Sequence, residues 1–389
     1  MKTKRSRRRL LGAVALLVAS GASTAAGCAA PPTRLTPLTP PTPPPPTGLR
    51  PLADKIQLRF GSAVSRVLFE SPHRRSLLDI FARDFNMATI HSGFYWPAWE
   101  PAQGHINASV VDEMKRQIDA LHGVGISDLR GHPLVFPTFE PQWLTDQLFG
   151  GKLSKAQASE LLVNHVRAVI ERFKGLIGEW VVVNEPFRFY GADRGDLWKI
   201  VIGEDYVEMA FRAAREADPG AKLLLNDYDN HARSGRGVYS SEQDPINRNK
   251  MLIERLRAKG LVDGIGLQMH IRADKPPKHD DLIETMRSYG VPVHITELDV
   301  NLKDVPGTDE ARFALQAQVY ADVLDAALRS GVCNSVCLWE FGDKYSWLED
   351  PYFDFASPRA DGTPYDDDLQ PKPAYHAMKR MLLNPPVRR

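Results

Sequence analysis

Apolar and polar positions along this chain follow two rhythms in turn. Continuous apolar runs rich in β-branched residues recur at 56–64, 87–93, 127–134, 180–184, 222–226, 264–269, 293–297 and 335–339. Runs of this length without in/out alternation suit strands buried on both faces, as in a parallel sheet covered by helices. Between them, apolar residues return at three- and four-residue spacing over 110–121, 154–173, 206–216, 247–259, 280–289 and 309–329. That spacing predicts amphipathic helices. Strands alternating with helices imply parallel pairing through right-handed crossovers. Eight such units over about 330 residues predict the α/β class and, within it, a single (β/α)8 barrel. An open doubly wound sheet would carry a Gly-rich phosphate loop after its first strand, and Gly61-Ser62-Ala63 lacks the glycine spacing.

The polar residues concentrate where the apolar runs stop. Arg130-Gly131-His132, Asn184-Glu185, Asn226-Asp227-Tyr228, Gln268-Met269-His270, Glu297-Leu298-Asp299 and Trp339-Glu340 each follow an apolar stretch. In a barrel those strand ends form the functional face. Two glutamates, Glu185 and Glu297, close fully apolar runs and would meet in one mouth. Paired carboxylates of this kind suit glycosidic bond cleavage, with one group as acid/base and the other as nucleophile. The competing reading, a surface salt-bridge partner, fits poorly with an acid placed directly after a buried strand. Asp299 lies two residues past Glu297 and so on the same strand face. With His270 it is placed to hold Glu297 charged by hydrogen bonding.

Composition limits the partners. The 389 residues carry a formal net charge of +1, so no strong field recruits nucleic acid. No HExxH, paired CxxC or helically spaced histidine pair appears, so neither a catalytic metal nor any other cofactor is expected. Residues 1–28 read as an export signal: a basic start, then an apolar stretch of small residues from Leu10 to Ala26. Ser6-Arg7-Arg8-Arg9-Leu10-Leu11 resembles a twin-arginine motif, and Ala25-Ala26-Gly27-Cys28 resembles a lipobox, which would make Cys28 a lipidation site. A plain cleaved signal is the alternative. Either way the protein is expected to be exported, and its only membrane contact would be that lipid. Residues 29–50, mostly Pro and Thr, read as an extended tether, leaving 51–385 as the folded domain. Cys333 and Cys337 lie four residues apart; an extended chain separates them by about 13 Å. A disulfide needs Cα atoms within about 7 Å, so they pair only if Cys333 sits in a turn.

Taken in order, the strand-end segments resemble glycoside hydrolase family 10, the retaining xylanase family. The likeness runs from Phe60-Gly61-Ser62-Ala63-Val64, through Trp96, Glu100-Pro101, Gln103-Gly104 and Arg130-Gly131-His132, to Trp180-Val181-Val182-Val183-Asn184-Glu185. It continues through Asn226-Asp227-Tyr228, Gly264 to His270, Ile295-Thr296-Glu297-Leu298-Asp299, Trp339 and Asp343-Lys344-Tyr345-Ser346-Trp347. The resemblance implies a retaining β-glycosidase acting on an oligosaccharide or polysaccharide, most simply an endo-β-1,4-xylanase. It implies Glu185 as acid/base, Glu297 as nucleophile and Gln268 as a support of the nucleophile. It also implies that Asn184 contacts the 2-hydroxyl of the sugar being cleaved. His132, Tyr228, Trp339 and Trp347 match substrate-binding positions.

The departures cluster on the glycone side. Where the family carries Glu, Asn and Lys, this chain has His91, Ser92 and Tyr95; where the third strand continues into Trp-His, it has Phe136-Pro137; Trp99 adds bulk. His91, Tyr95 and Phe136 are therefore expected to form an altered glycone subsite. Two alternatives follow: the same chemistry on another β-glycoside (a β-glucan fragment, an aryl glycoside or a plant saponin), or a silent carbohydrate-binding lipoprotein.

Overall fold

The structure is a computed structural model and describes residues 48–137, 139–187, 196–234, 244–349 and 359–386. The export signal, Cys28 and the Pro/Thr-rich run up to residue 47 lie outside the described residues.

Nine strands form among the described residues: β1 (Arg59–Val64), β2 (Met87–Ile90), β3 (Asp128–Gly131), β4 (Glu179–Asn184), β5 (Lys222–Asp227), β6 (Gly264–Leu267), β7 (His270–Arg272), β8 (Val293–Asn301) and β9 (Cys333–Leu338). All pairings between them are parallel. The order β1-β2-β3-β4-β5-β6-β8-β9 closes back on β1, giving the eight-stranded (β/α)8 barrel expected from the sequence. β7 is an addition. It pairs only with β8, which runs nine residues and continues past the barrel rim.

The helices predicted by the 3.6-residue spacing are present within a few residues, for example Lys155–Phe173 and Asp309–Ser330. Ser154 starts the former with a reciprocal capping box through Gln157. Arg74–Asp84 links β1 to β2 after the short helix Arg66–Glu70, and Pro373–Leu383 follows β9.

The folded chain also begins earlier than residue 51. Leu49 is buried and its N–H donates to Asp84 Oδ1 at 2.9 Å, and helix Arg50–Lys55 follows. Cys333 and Cys337 both lie on β9, buried and with no disulfide between them. Burial pushes the Cys337 thiol up to about 11.

The N-terminal end of the barrel interior is plugged by charge. Arg130 is fully buried and donates to Glu179 Oε1 at 2.7 Å, while Arg59 reaches Glu179 Oε2 at 2.8 Å. Burial pushes Glu179 up, but Arg130, His294 and Arg59 outweigh it and hold the carboxylate well below its ordinary range. Arg130 Nη2 also donates to Ser335 Oγ at 2.9 Å. A cation and an anion buried together need partners of this kind. The plug ties β1, β3, β4, β8 and β9 to one another and supports the opposite, polar rim.

Candidate active site

Each functional side chain is aimed by a strand end. β4 closes at Asn184, and Glu185 turns off it with φ +53°, its N–H donating to Asn226 O at 2.9 Å. Met269 (φ +65°) and Glu340 (φ +67°) make the same left-handed exit after β6 and β9. Non-glycine residues hold this conformation only where the surroundings enforce it, and such residues cluster at functional sites.

The mouth is wired through one asparagine. Asn226 Oδ1 accepts from the Thr296 hydroxyl at 2.7 Å, which fixes the amide orientation. Its Nδ2 then faces the other way and donates to Asn184 Oδ1 at 2.8 Å and to Glu297 Oε1 at 2.7 Å. Gly266 makes this crossing possible, since a Cβ there would meet Asn226 Oδ1 at 2.0 Å. Glu185 Oε1 accepts from Gln268 Nε2 at 2.9 Å and faces Asn184 Nδ2 at 3.5 Å. The two carboxyl groups, 8% and 4% exposed as residues, thus share one buried amide network.

Gln268 departs from expectation. Its side chain donates to Glu185 and Asn184 and not to Glu297; only its backbone carbonyl serves Glu297, accepting from the N–H at 3.1 Å. Its place on the Glu185 side follows from the turn at Met269, which no periodicity reveals.

Glu297 is held by histidines. His270 Nε2 lies 3.3 Å from Glu297 Oε2, and its Nδ1 lies 2.7 Å from Asp299 Oδ2. The β7–β8 register sets this, pairing His270 with Asp299. Trp347 Nε1 donates to the same Asp299 oxygen at 2.8 Å, and its ring lies 4.8 Å from that of His270. Burial disfavours the charged imidazole, but Asp299 and then Glu297 outweigh it and push His270 up to about 10. His132 Nδ1 lies 3.8 Å from Glu297 Oε1 and is pushed down to about 4 by burial. Burial alone would raise Glu297; its histidine and Asn226 contacts outweigh that and lower it. Because His132 is neutral above about 4, the cation beside Glu297 at neutral pH is His270. The result is one buried carboxylate kept ionised. The other, on Glu185, faces amide donors at Oε1.

The remaining expected positions surround this centre. Trp339 packs against His91 at 4.7 Å and meets His132 edge-on at 5.2 Å. Tyr95 touches His91, His132 and Phe136, and joins a stack in which Phe136 lies 4.8 Å from Phe139 at 10°. Tyr228 follows β5 half-buried, its N–H on Asp227 Oδ1 at 3.0 Å. Trp99 does not belong here: it is 1% exposed and packs on Phe173 in the core, so it adds nothing to the mouth. Sequence reasoning had quoted Asn226, Thr296 and Glu340 within motifs without assigning them to the site. The signal available for Asn226 was an amide at the end of an otherwise apolar strand.

A closed parallel barrel with two carboxylates from different strands buried in one polar mouth is the working end of a glycoside hydrolase. The chain belongs to glycosyl hydrolase family 10, whose family model matches residues 48–381. It is 29% identical to endo-1,4-beta-xylanase B of Thermotoga neapolitana, over 86% of this chain and 91% of the relative. It is 32% identical to endo-1,4-beta-xylanase A of Phanerodontia chrysosporium, over 82% and 73% respectively. Among solved structures, xylanase 10B from Thermotoga petrophila in complex with xylobiose superimposes with a TM-score of 0.76 at 28% identity, covering 86% of this chain and 97% of that one. Native xylanase 10B from Thermotoga maritima gives 0.76 at 29%, covering 86% and 98%. These relatives favour a retaining, xylanase-like hydrolase over both a different β-glycosidase and a silent binding protein.

Proposed function

We propose that this protein hydrolyses the β-1,4-linked backbone of xylan by double displacement, with Glu297 as nucleophile and Glu185 as acid/base. The observation that carries this reading is the unequal treatment of the two carboxyls. Glu297 is lowered by its histidine and Asn226 contacts and stays ionised to attack the anomeric carbon. Glu185, whose Oε1 faces the amide donors of Gln268 and Asn184, protonates the departing glycosidic oxygen. The bond from C1 to that oxygen breaks as the bond from C1 to Glu297 forms. Glu185, now a carboxylate, then takes a proton from water, which attacks C1 and frees Glu297. Asn184, held by Asn226 and Gln268, is placed to contact the 2-hydroxyl, a bond that strengthens in the transition state.

Two variants test the division of roles. Glu297→Ala abolishes turnover, because no glycosyl-enzyme forms. Glu185→Ala stays able to glycosylate on activated aryl β-xylosides but releases product slowly, and azide speeds that release. Equal loss in two folded variants, with no azide effect at either, contradicts the assignment.

The same reading covers location. The basic and apolar start, the Cys28 motif and the Pro/Thr-rich run together support an exported protein, lipidated at Cys28 and held off the membrane by an extended tether.

A further inference from the structure

Four rings close one side of the mouth. His91 packs on Trp339, Trp339 meets His132, His132 meets Tyr95 at 6.5 Å, and Tyr95 returns to His91 at 6.1 Å. Glu340 directly follows Trp339, and its Oε1 lies 3.8 Å from His91 Nε2, too far for a hydrogen bond. His91 is 9% exposed and Glu340 5%. Yet His91 Nε2 and Glu340 Oε2 are both buried without a hydrogen-bond partner. A buried polar atom left unpaired is more costly than a hydrogen bond is stabilising, so an isolated case asks for a missing partner. Here two complementary groups are neighbours, His91 Nε2 lying 3.8 Å from the Glu340 carboxylate at Oε1. Ser92 Oγ, 3.4 Å from His91 Nδ1, is placed to donate to it, which leaves the ring proton on Nε2. The pair therefore offers one N–H donor and one carboxylate acceptor.

The backbone gives a second, independent sign. Glu340 sits at φ +67°, where glycine is at ease and a side chain is strained. No hydrogen bond to its buried Oε2 holds that side chain in place. The position connects to the chemistry through His132, which contacts Trp339 on one side and Glu297 on the other.

We infer that Glu340 and His91 form a hydroxyl clamp for the sugar ring presented to Glu297. A ring hydroxyl remote from the anomeric carbon donates to the Glu340 carboxylate and accepts from His91 Nε2, since a hydroxyl can do both at once. The clamp rests on the reading of Glu297 as the group that meets the anomeric carbon, and makes Glu340 a specificity-determining residue for the glycone.

The test measures kcat/KM of the full chain on 2,4-dinitrophenyl β-xyloside and on its 3-deoxy and 4-deoxy analogues, for wild type, E340Q and E340G. In the wild type, loss of the clamped hydroxyl lowers kcat/KM about ten- to hundredfold. In E340G the same loss changes it less than about threefold, because no clamp remains to be left unpaired. E340Q falls between, since a neutral acceptor is weaker than a charged one. E340G melts no lower than wild type, because glycine suits the backbone. Deoxygenation that acts equally on wild type and E340G overturns the clamp, as does an E340G protein that loses stability while keeping its kcat/KM. Calorimetric binding of xylobiose to E185A and to E185A with E340G separates the two ideas. A wild type that hydrolyses no β-glycoside overturns the reading of the carboxylates. Weaker xylobiose binding on adding E340G still supports the clamp, and equal binding overturns it.

Discussion

His270 is the residue on which the electrostatics of the mouth turn. It lies between two carboxylates, and Asp299 is the one that keeps it charged. Replacing Asp299 with Asn removes that charge while keeping the size of the side chain and an acceptor for Trp347. His270 then loses its proton more easily, and Glu297 loses the cation that keeps it ionised. The acid limb of the kcat/KM profile, which reports the free nucleophile, moves up by about one pH unit or more. A profile unchanged in position, with only its height reduced, contradicts the role given to this pair. The sign for stability is opposite in sense. His270 is raised in the folded state, so its contribution is complete below its ordinary value and fades as pH rises toward about 10.

Among the elements, β8 and the segment after β2 show what the sequence reveals and what it hides. Glu297 and Asp299 were legible because a buried strand alternates faces and ends on acids. The β7 strand was not: three residues, His270–Arg272, follow a sharp turn and pair with the overhang of β8. No period can register in three residues, yet that pairing delivers His270 to Asp299. Gln268 was misassigned for the same reason, since the turn at Met269 decides which glutamate it meets. Trp99 was misjudged because an aromatic near the mouth and an aromatic beneath it read alike in one dimension. Tyr95, after β2, packs with Phe136 and Phe139, after β3, in an aromatic wall. Such a wall offers apolar contact and few directed hydrogen bonds, so a second glycone sugar adds little transition-state binding. Efficiency on xylooligosaccharides should therefore stay flat or fall beyond the disaccharide. A loss of about 3 kcal/mol of remote binding corresponds to about a hundredfold lower efficiency on long chains. A steep rise with chain length contradicts this account of the wall.

At the scale of the molecule, a charged plug at one end of the barrel supports a polar rim at the other, and a long Pro/Thr-rich run precedes the whole. If Cys28 carries the anchor, a labelled fatty acid fed to the native cell tags the protein, and Cys28→Ser removes the tag; label persisting in that variant contradicts the anchor. The central claim, double displacement through Glu297 and Glu185, has a more direct test. Proton NMR during the first moments of xylooligosaccharide hydrolysis reports the anomer released before mutarotation. Two inversions at C1 give the β anomer first, with the α form appearing only as the sugar equilibrates. An α anomer as the first product would contradict the assignment of Glu297 as a nucleophile.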